Sequence, residues 1–91
     1  MQIQVTVPFL ISDCTKGNSS FELEALKLDE AIHRLLEDYP LLRRHLYKEN
    51  GELRKHVLIF YNNENIAWLE RLDIPLKLGD RLIVFQAVSG G

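Results

Sequence analysis

The fold is decided first by residues 2–7, Gln-Ile-Gln-Val-Thr-Val, in which polar and aliphatic side chains alternate. A period of two places the three aliphatic side chains on one face of a β-strand and the polar ones on the other. Residues 21–25, Phe-Glu-Leu-Glu-Ala, repeat the alternation after residues 12–20, whose composition is typical of a turn. Together the two alternating segments predict an antiparallel hairpin.

The apolar period then changes to that of a helix. The apolar positions at helical spacing are Leu28, Ile32, Leu35 and Leu36. We expect Asp29 to be the N-cap of this helix. Pro40 ends it, because the residue before a proline disfavours the α region. Residues 41–47 predict a second short helix, with Leu42 and Leu46 one turn apart on the same face.

Two further strands are predicted near the carboxyl end, over residues 56–61 and residues 81–88. Residues 62–65, Asn-Asn-Glu-Asn, are typical of a turn after the first of them. No secondary structure is assigned to residues 66–72, which hold the single tryptophan, Trp68. We expect Trp68 to be a packing residue, as the only tryptophan of a small domain usually is.

The order of elements is hairpin, helix, short helix, strand, strand, which predicts the α+β class. One main helix would cover one face of a mixed sheet, with the first and last strands parallel at its centre. This is the β-grasp arrangement of ubiquitin-like domains. We expect a single β-grasp domain over residues 1–88 and a flexible Gly-Gly tail over residues 89–91, because paired glycines make a slender chain.

Composition excludes several classes of function. The 11 Lys and Arg against 13 Asp and Glu give a net charge of −2, which argues against a protein that coats nucleic acid. The single cysteine, Cys14, allows neither an internal disulfide nor a cysteine-rich zinc site. No segment has the pattern of a signal peptide or the roughly 20 apolar residues of a membrane span, so we expect a cytoplasmic protein. The histidines lack the spacing of metal ligands; they are His33, His45 and His56.

Four stretches in combination resemble the MoaD/ThiS-like ubiquitin-like sulfur carriers, and most of all the CysO-type cysteine-biosynthesis carriers and their archaeal MoaD-like relatives. They are residues 2–8, residues 52–66 with an Asn-x-Glu-x-Ile turn, residues 75–85 with Pro-Leu-x-x-Gly-Asp, and residues 87–91, Ala-Val-Ser-Gly-Gly. The chain departs from the family pattern in two places. Ser89 stands where the family often has alanine, and Asn62-Asn63 stands where Asn-Gly or Asn-Asp is frequent. Serine is small and asparagine tolerates positive φ, so we expect neither change to disrupt the pattern.

The resemblance implies a carrier rather than an enzyme. A ubiquitin-activating-type adenylyltransferase would use ATP to adenylate the carboxylate of Gly91, at the end of the Ser89–Gly91 tail. Sulfide or persulfide sulfur would then give a thiocarboxylate. The chain itself would supply no catalytic residue and bind no metal or cofactor.

The resemblance also implies which proteins take the sulfur. The acceptor would be a sulfur-accepting synthase, either a cysteine-synthase-like enzyme or the large subunit of molybdopterin synthase. In the cysteine route a metalloprotease would be a further partner. The pathway is left open, because many routes use similar carriers.

The outward face of the predicted sheet is a second candidate site. If Val57 and its neighbours at a period of two face the helix, four large apolar side chains face outward: Leu58, Phe60, Ile83 and Phe85. Such patches often mark binding sites, and in the family the aromatic residue matching Phe85 lies at the partner interface. The alternatives are that residues 66–72 or a second copy of the chain cover this face.

Two remaining features are expected to be structural. The basic residues Arg43, Arg44, Lys48, Arg54 and Lys55 are interrupted by glutamates and predict a solvated mixed-charge face rather than an anion site. Cys14 has no basic neighbours that would lower its pKa, so we expect a surface or half-buried thiol without special reactivity.

Two other functions compatible with the same sequence are left open. One is a protein modifier that passes the same adenylate to lysine amines, and the other is a non-covalent ubiquitin-like binding module whose tail is idle. Gly-Gly remnants on lysines of other proteins would select the first, and full activity after deletion of the tail would select the second.

Overall fold

A computed structural model describes residues 1–86, in which a five-stranded sheet packs against two helices. In chain order the elements are β1 (Gln2–Thr6), a first 3₁₀ helix (Phe9–Thr15), β2 (Ser20–Glu24), α1 (Leu28–Asp38), α2 (Pro40–Leu46), β3 (Val57–Tyr61), β4 (Glu64–Asn65), a second 3₁₀ helix (Ile66–Trp68) and β5 (Arg81–Gln86). The sheet order is β2-β1-β5-β3-β4, with β1 and β5 parallel and every other pair antiparallel. The predicted α+β, β-grasp architecture is thereby confirmed.

The alternation within the strands decides which face of the sheet meets the helices. Six aliphatic side chains at alternate positions of β1, β3 and β5 are at most 3% exposed, and they pack against the apolar faces of α1 and α2. The innermost residues are Ile3, Val5, Val57, Ile59, Leu82 and Val84 from the sheet and Leu28, Ala31, Leu35, Leu42 and Leu46 from the helices. Burying a side chain of this kind contributes roughly 1.5–3 kcal/mol. The other face of the sheet is left without a helix.

The start of α1 differs from the prediction. The N-cap is Lys27 rather than Asp29, and neither makes a side-chain capping bond to the helix two or three residues on. The first two helical N–H groups are instead satisfied across the fold, because Leu28 donates to the carbonyl of Ile74 (2.9 Å) and Asp29 donates to that of Leu72 (2.8 Å). Carbonyl groups from a distant part of the chain thus accept hydrogen bonds from N–H groups that an N-cap side chain was expected to satisfy.

The connection between β1 and β2 is also more ordered than the predicted turn over residues 12–20. Pro8 (φ −60°) precedes the first 3₁₀ helix, which turns Ile11 and Cys14 into the core. Only after this helix does the chain turn, through Lys16 and Gly17 at positive φ. The turn expected over residues 12–20 is therefore wrong for its first four residues, since apolar burial there favours a helix.

The segment after β3 departs from prediction in two ways. The turn is confined to Asn62 and Asn63, and the next two residues form β4, which pairs with the end of β3. Asn62 adopts φ 55°, so the chain keeps the turn without the frequent glycine. The expectation that Trp68 is a packing residue is wrong, since its side chain is 76% exposed. In the one-turn 3₁₀ helix it is Ile66 that enters the core.

Candidate docking face at the carboxyl-terminal strand

β5 occupies the centre of the sheet, between β1 and β3, and its last described residue is Gln86. Gln86 pairs with Val57 at the beginning of β3. The predicted tail and adenylation site, Ser89, Gly90 and Gly91, lies outside the described residues. The structure therefore fixes the strand from which the tail follows and the surfaces around its end.

The four residues predicted to face outward do lie on the face without helices. Phe85 is 47% exposed and Leu58 is 40% exposed, while Phe60 and Ile83 are half-buried. They sit in register, since Leu58 pairs with Phe85 and Phe60 pairs with Ile83. The rings of Phe60 and Phe85 meet edge to face with centroids 5.3 Å apart, a favourable geometry that fixes both rings.

These four side chains line a shallow depression of about 520 Å³, together with Asn62, Asn63 and Gln86. No residue of the segment 66–72 lines it, so that segment is not the cover considered as an alternative. Its walls are mostly apolar carbon, and it begins at the end of β5. Such a surface is suited to bind an apolar patch on another protein.

A buried carboxylate holds the other end of β5 in place. Asp80, directly before the strand, accepts hydrogen bonds from the Tyr61 hydroxyl, from Asn62 Nδ2 (3.2 Å) and from the Lys77 main-chain N–H (2.8 Å). Asn62 in turn accepts from the Arg81 N–H (2.9 Å). We call this group of residues the Asp80 clasp. It joins the turn after β3 to the loop before β5.

The electrostatics of the Asp80 clasp follow from its burial and its hydrogen bonds. Burial would raise the pKa of Asp80, but the bonds from Tyr61, Lys77 and Asn62 outweigh it and hold that pKa below its usual range. Burial first, and then the hydrogen bond and charge of Asp80, raise the pKa of Tyr61 to about 12. At neutral pH Asp80 is therefore a charged carboxylate, and Tyr61 is a neutral phenol that donates a hydrogen bond to it.

Sequence reasoning quoted Asn62 and Asp80 as motif residues but missed that they bond to each other. The sequence did contain a signal for these two residues. Each lies in a turn, where Asn and Asp side chains often accept hydrogen bonds from main-chain N–H groups. What the spacing of 18 residues does not show is that both turns lie at the same end of the sheet.

Other sequence candidates take no part in this face. Cys14 is buried in the first 3₁₀ helix, where burial and then the charge of Asp13 raise the pKa of its thiol. The expected surface or half-buried position of Cys14 is wrong, because the 3₁₀ helix turns it into the core. His33 Nε2 lies 2.9 Å from Glu37 Oε2 on α1. Among residues 1–86, no three His, Cys, Asp or Glu side chains are grouped in a way that would hold a metal ion. Over the same residues, no helix has the length and apolar character that crossing a bilayer requires.

Comparison with known proteins identifies the family. The model of the ThiS family matches residues 8–91, which include both motif turns, the outward face and the Gly-Gly end. The chain belongs to the ThiS family. It is 28% identical to a putative sulfur carrier protein of Archaeoglobus fulgidus, and the alignment covers all of both chains.

Solved structures agree with this placement of the ThiS-family chain. A chain of the BexX/CysO complex from Amycolatopsis orientalis superposes with a TM-score of 0.77 at 26% identity, covering 98% of this chain and 99% of that one. Small archaeal modifier protein 1 from Methanosarcina acetivorans superposes with a TM-score of 0.74 at 26% identity, covering 99% and 96%. The relatives thus include sulfur carriers and a protein modifier on one ubiquitin-like fold.

Proposed function

We propose that this chain is a sulfur carrier that is loaded as a thiocarboxylate on Gly91 and delivers its sulfur in a biosynthetic pathway. The observation that carries the proposal is the ThiS-family match over residues 8–91, which runs through the apolar face and includes the terminal Gly-Gly. The full-length likeness to a putative sulfur carrier protein of Archaeoglobus fulgidus supports it.

The chemistry needs little from the carrier beyond its own carboxylate. In the first step a carboxylate oxygen of Gly91 attacks the α-phosphorus of ATP in the activating enzyme, and pyrophosphate leaves. In the second step the sulfur of a sulfide attacks the carbonyl carbon of the acyl-adenylate, and AMP leaves with the bonding electron pair. The product is a thiocarboxylate with sulfur in place of one oxygen. On this proposal the chain binds no cofactor and supplies no catalytic residue, and ATP is consumed by its partner.

The described residues supply docking and positioning. Five residues separate Gln86 from the end of the given sequence, and fully extended they reach at most about 18 Å. A partner that holds the apolar face around Phe85 therefore brings the carboxylate within reach of an active site close to that face. The Asp80 clasp fixes the far end of β5, so that docking positions the tail rather than bending the strand.

Two classes of partner follow from the proposal: a ubiquitin-activating-type adenylyltransferase and a sulfur-accepting synthase of the cysteine-synthase or molybdopterin-synthase type. In the cysteine route a metalloprotease is a third. The superposed chain comes from the BexX/CysO complex of Amycolatopsis orientalis, which supports a protein partner for this chain. All of these proteins would act together in the cytoplasm.

The experiment is loading in vitro. The chain is incubated with the adenylating enzyme from the same genome, ATP and sulfide, and its intact mass is measured. We expect the mass increase of one oxygen replaced by sulfur, dependent on ATP. The matched control is the chain lacking Gly91, which should keep its fold and show no increase. If the full chain is never loaded with sulfur although the enzyme forms its adenylate, the chain is not a sulfur carrier.

A protein modifier is the second candidate, favoured by the 26% identity with small archaeal modifier protein 1 of Methanosarcina acetivorans. It shares the first step, after which a lysine amine rather than sulfide attacks the acyl-adenylate. Trypsin digestion of proteins from cells expressing a variant with Arg at position 89 would leave Gly-Gly on modified lysines. Finding such remnants only when Gly91 is present would establish this candidate.

A further inference from the structure

A basic surface lies beside the end of β5, on the helix side of the sheet. We define it as Arg43, Arg44, Lys48, Arg54 and Lys55. The first four line one open depression of about 610 Å³, and Lys55 follows directly in the chain and is exposed. The sequence predicts a solvated mixed-charge face here, and Glu49 does line the depression beside the cations.

The loop between α2 and β3 is folded so that its two ends meet. Tyr47 and Leu53 form a β-bridge, and the N–H of Lys48 donates to the carbonyl of Glu52 at 2.7 Å. Gly51 closes the turn at φ 89°, a conformation that side chains disfavour. This small hairpin brings together cations that are ten residues apart in the sequence.

Arg54 is held against the end of α2 by two bonds. Its main-chain N–H donates to the carbonyl of Leu46 (2.9 Å), and its Nε donates to the carbonyl of Arg44 (3.1 Å). The carbonyl of Arg54 in turn accepts from the N–H of Val57 (3.0 Å), which is the strand partner of Gln86. The basic surface is therefore connected through Val57 to Gln86, the last described residue before the tail.

Within the part of the chain that the structure describes, none of the five cations forms an ion pair shorter than 4.0 Å. The ion pairs within residues 1–86 lie elsewhere and join the N-terminal amine to Glu24, His33 to Glu37 and Arg71 to Asp73. Glu49 lines the depression without coming within 4.0 Å of a cationic nitrogen, and Glu52 contributes only main-chain bonds.

We infer that the basic surface is a docking surface for an acidic patch on the enzyme that adenylates the tail. The inference rests on the proposed function, and adenylation is the step that the sulfur-carrier and modifier candidates share. An enzyme that accepts Gly91 must cover the end of β5, and so it meets Arg54 and its neighbours. Opposite charge across such a contact accelerates association and selects the partner.

An acidic protein fits the surface better than a nucleic acid does. Residues 20–38 hold six acidic and two basic side chains, and the whole chain carries −2. That acidic region would repel a long polyanion, which needs a basic excess over an extended surface. The tyrosine that lines the depression, Tyr47, is half-buried, which disfavours stacking of bases on its ring.

The test compares two double variants with the same change of charge. Arg44→Glu with Lys55→Glu reverses two exposed cations of the basic surface whose side chains make no hydrogen bond within residues 1–86. Lys27→Glu with Arg34→Glu reverses two exposed cations of α1 and its N-cap, which belong neither to the basic surface nor to the Asp80 clasp. Each is assayed for thermal unfolding, for binding to the adenylating enzyme without ATP, and for kcat and KM of adenylation at about 50 and 300 mM NaCl.

We expect the first variant to raise both the Kd and the KM about ten-fold or more at low salt, with kcat nearly unchanged and a smaller effect at high salt. The control should resemble the unaltered chain. Equal Kd values for the unaltered chain and the first variant at low salt would overturn the inference. It would also be overturned if the unaltered chain and the control bound a polyuridine RNA in a salt-sensitive way, and the first variant lost this RNA binding but kept its binding to the enzyme. Absence of sulfur loading with intact enzyme binding would reject the sulfur-carrier function and leave the docking surface in place.

Discussion

Removing the Asp80 carboxylate is expected to loosen the anchor of the central strand. Asp80 is buried and accepts hydrogen bonds from a phenol, a side-chain amide and a main-chain N–H. The substitution Asp80→Ala leaves these donors without their acceptor. Asp80→Asn keeps the size and one acceptor oxygen, and so it separates the effect of charge from that of shape.

The expected magnitude follows from the bonds. A hydrogen bond to a charged group contributes about 1.5–3 kcal/mol, but Tyr61 and Asn62 are half-exposed, so water replaces part of the loss. We expect Asp80→Ala to lower the free energy of unfolding by about 2–4 kcal/mol and Asp80→Asn by about 1–2 kcal/mol. A domain of this size has a total of about 5–14 kcal/mol, and each kcal/mol shifts Tm by roughly 4–8 °C.

The effect should depend on pH in one direction. Because the folded pKa of Asp80 lies below its unfolded value, its charged form stabilises the fold above about pH 4, the ordinary range for aspartate. That contribution is lost as pH falls through the folded pKa. The difference in stability between the unaltered chain and Asp80→Asn should therefore be full at pH 7 and should shrink below pH 4.

The assay is urea unfolding followed by circular dichroism at pH 7, 4 and 3, with Asp38→Asn as the control. Asp38 is exposed at the end of α1, and its substitution should change stability by no more than about 0.5 kcal/mol. Equal stability of Asp80→Asn and the unaltered chain at pH 7 would refute the assignment of the clasp. A difference that grows as the pH falls would refute the sign of the linkage.

Four further predictions concern other residues. Phe85→Ala should lower the free energy of unfolding by only about 1 kcal/mol, because the ring is half-exposed, but should weaken partner binding by about 2 kcal/mol or more. The buried neighbour gives the contrast, since Val84→Ala should mainly destabilise the fold. An unfolded Phe85→Ala variant would contradict the outward assignment. Cys14 should react slowly with iodoacetamide at pH 8 and rapidly in urea, and equal rates would show that its thiol is exposed. Trp68→Ala should change stability by less than about 0.5 kcal/mol, and a larger loss in a melting curve would place the ring in the core. Since the folded pKa of Tyr61 is about 12 against an ordinary value of 10, Tyr61→Phe should abolish a loss of stability between pH 10 and 12, measured by urea unfolding; an unchanged loss would contradict this.

The period of the strands was enough to predict both faces of the sheet. Ile59 and Val84 face the core, and Leu58 and Phe85 face outward, because a β-strand turns successive side chains to opposite sides. The parallel pairing of β1 and β5 followed from the order of elements. These features depend on local alternation and chain order, both of which can be read directly from the sequence.

The wrong predictions for Asp29 and Trp68 concern side chains whose surroundings are set by distant parts of the chain. Asp29 was expected to cap α1, but carbonyls more than 40 residues later take the free N–H groups. Trp68 was expected to pack, but a single 3₁₀ turn directs Ile66 inward and leaves the indole in solvent. Local propensity cannot show which side of a short helix meets the core, because that depends on where the rest of the chain lies.

By itself the sequence determined the fold class, the apolar outward face and the glycine-ended tail that marks the family. Only the tertiary structure showed that Asp80 bonds to the turn at Asn62, and that Arg44 and Arg54 share one surface beside the end of β5. The physical reason is the range of the interactions. Alternation and turn propensity act over a few residues, whereas hydrogen bonds and charges act between any groups that the fold brings within a few ångströms.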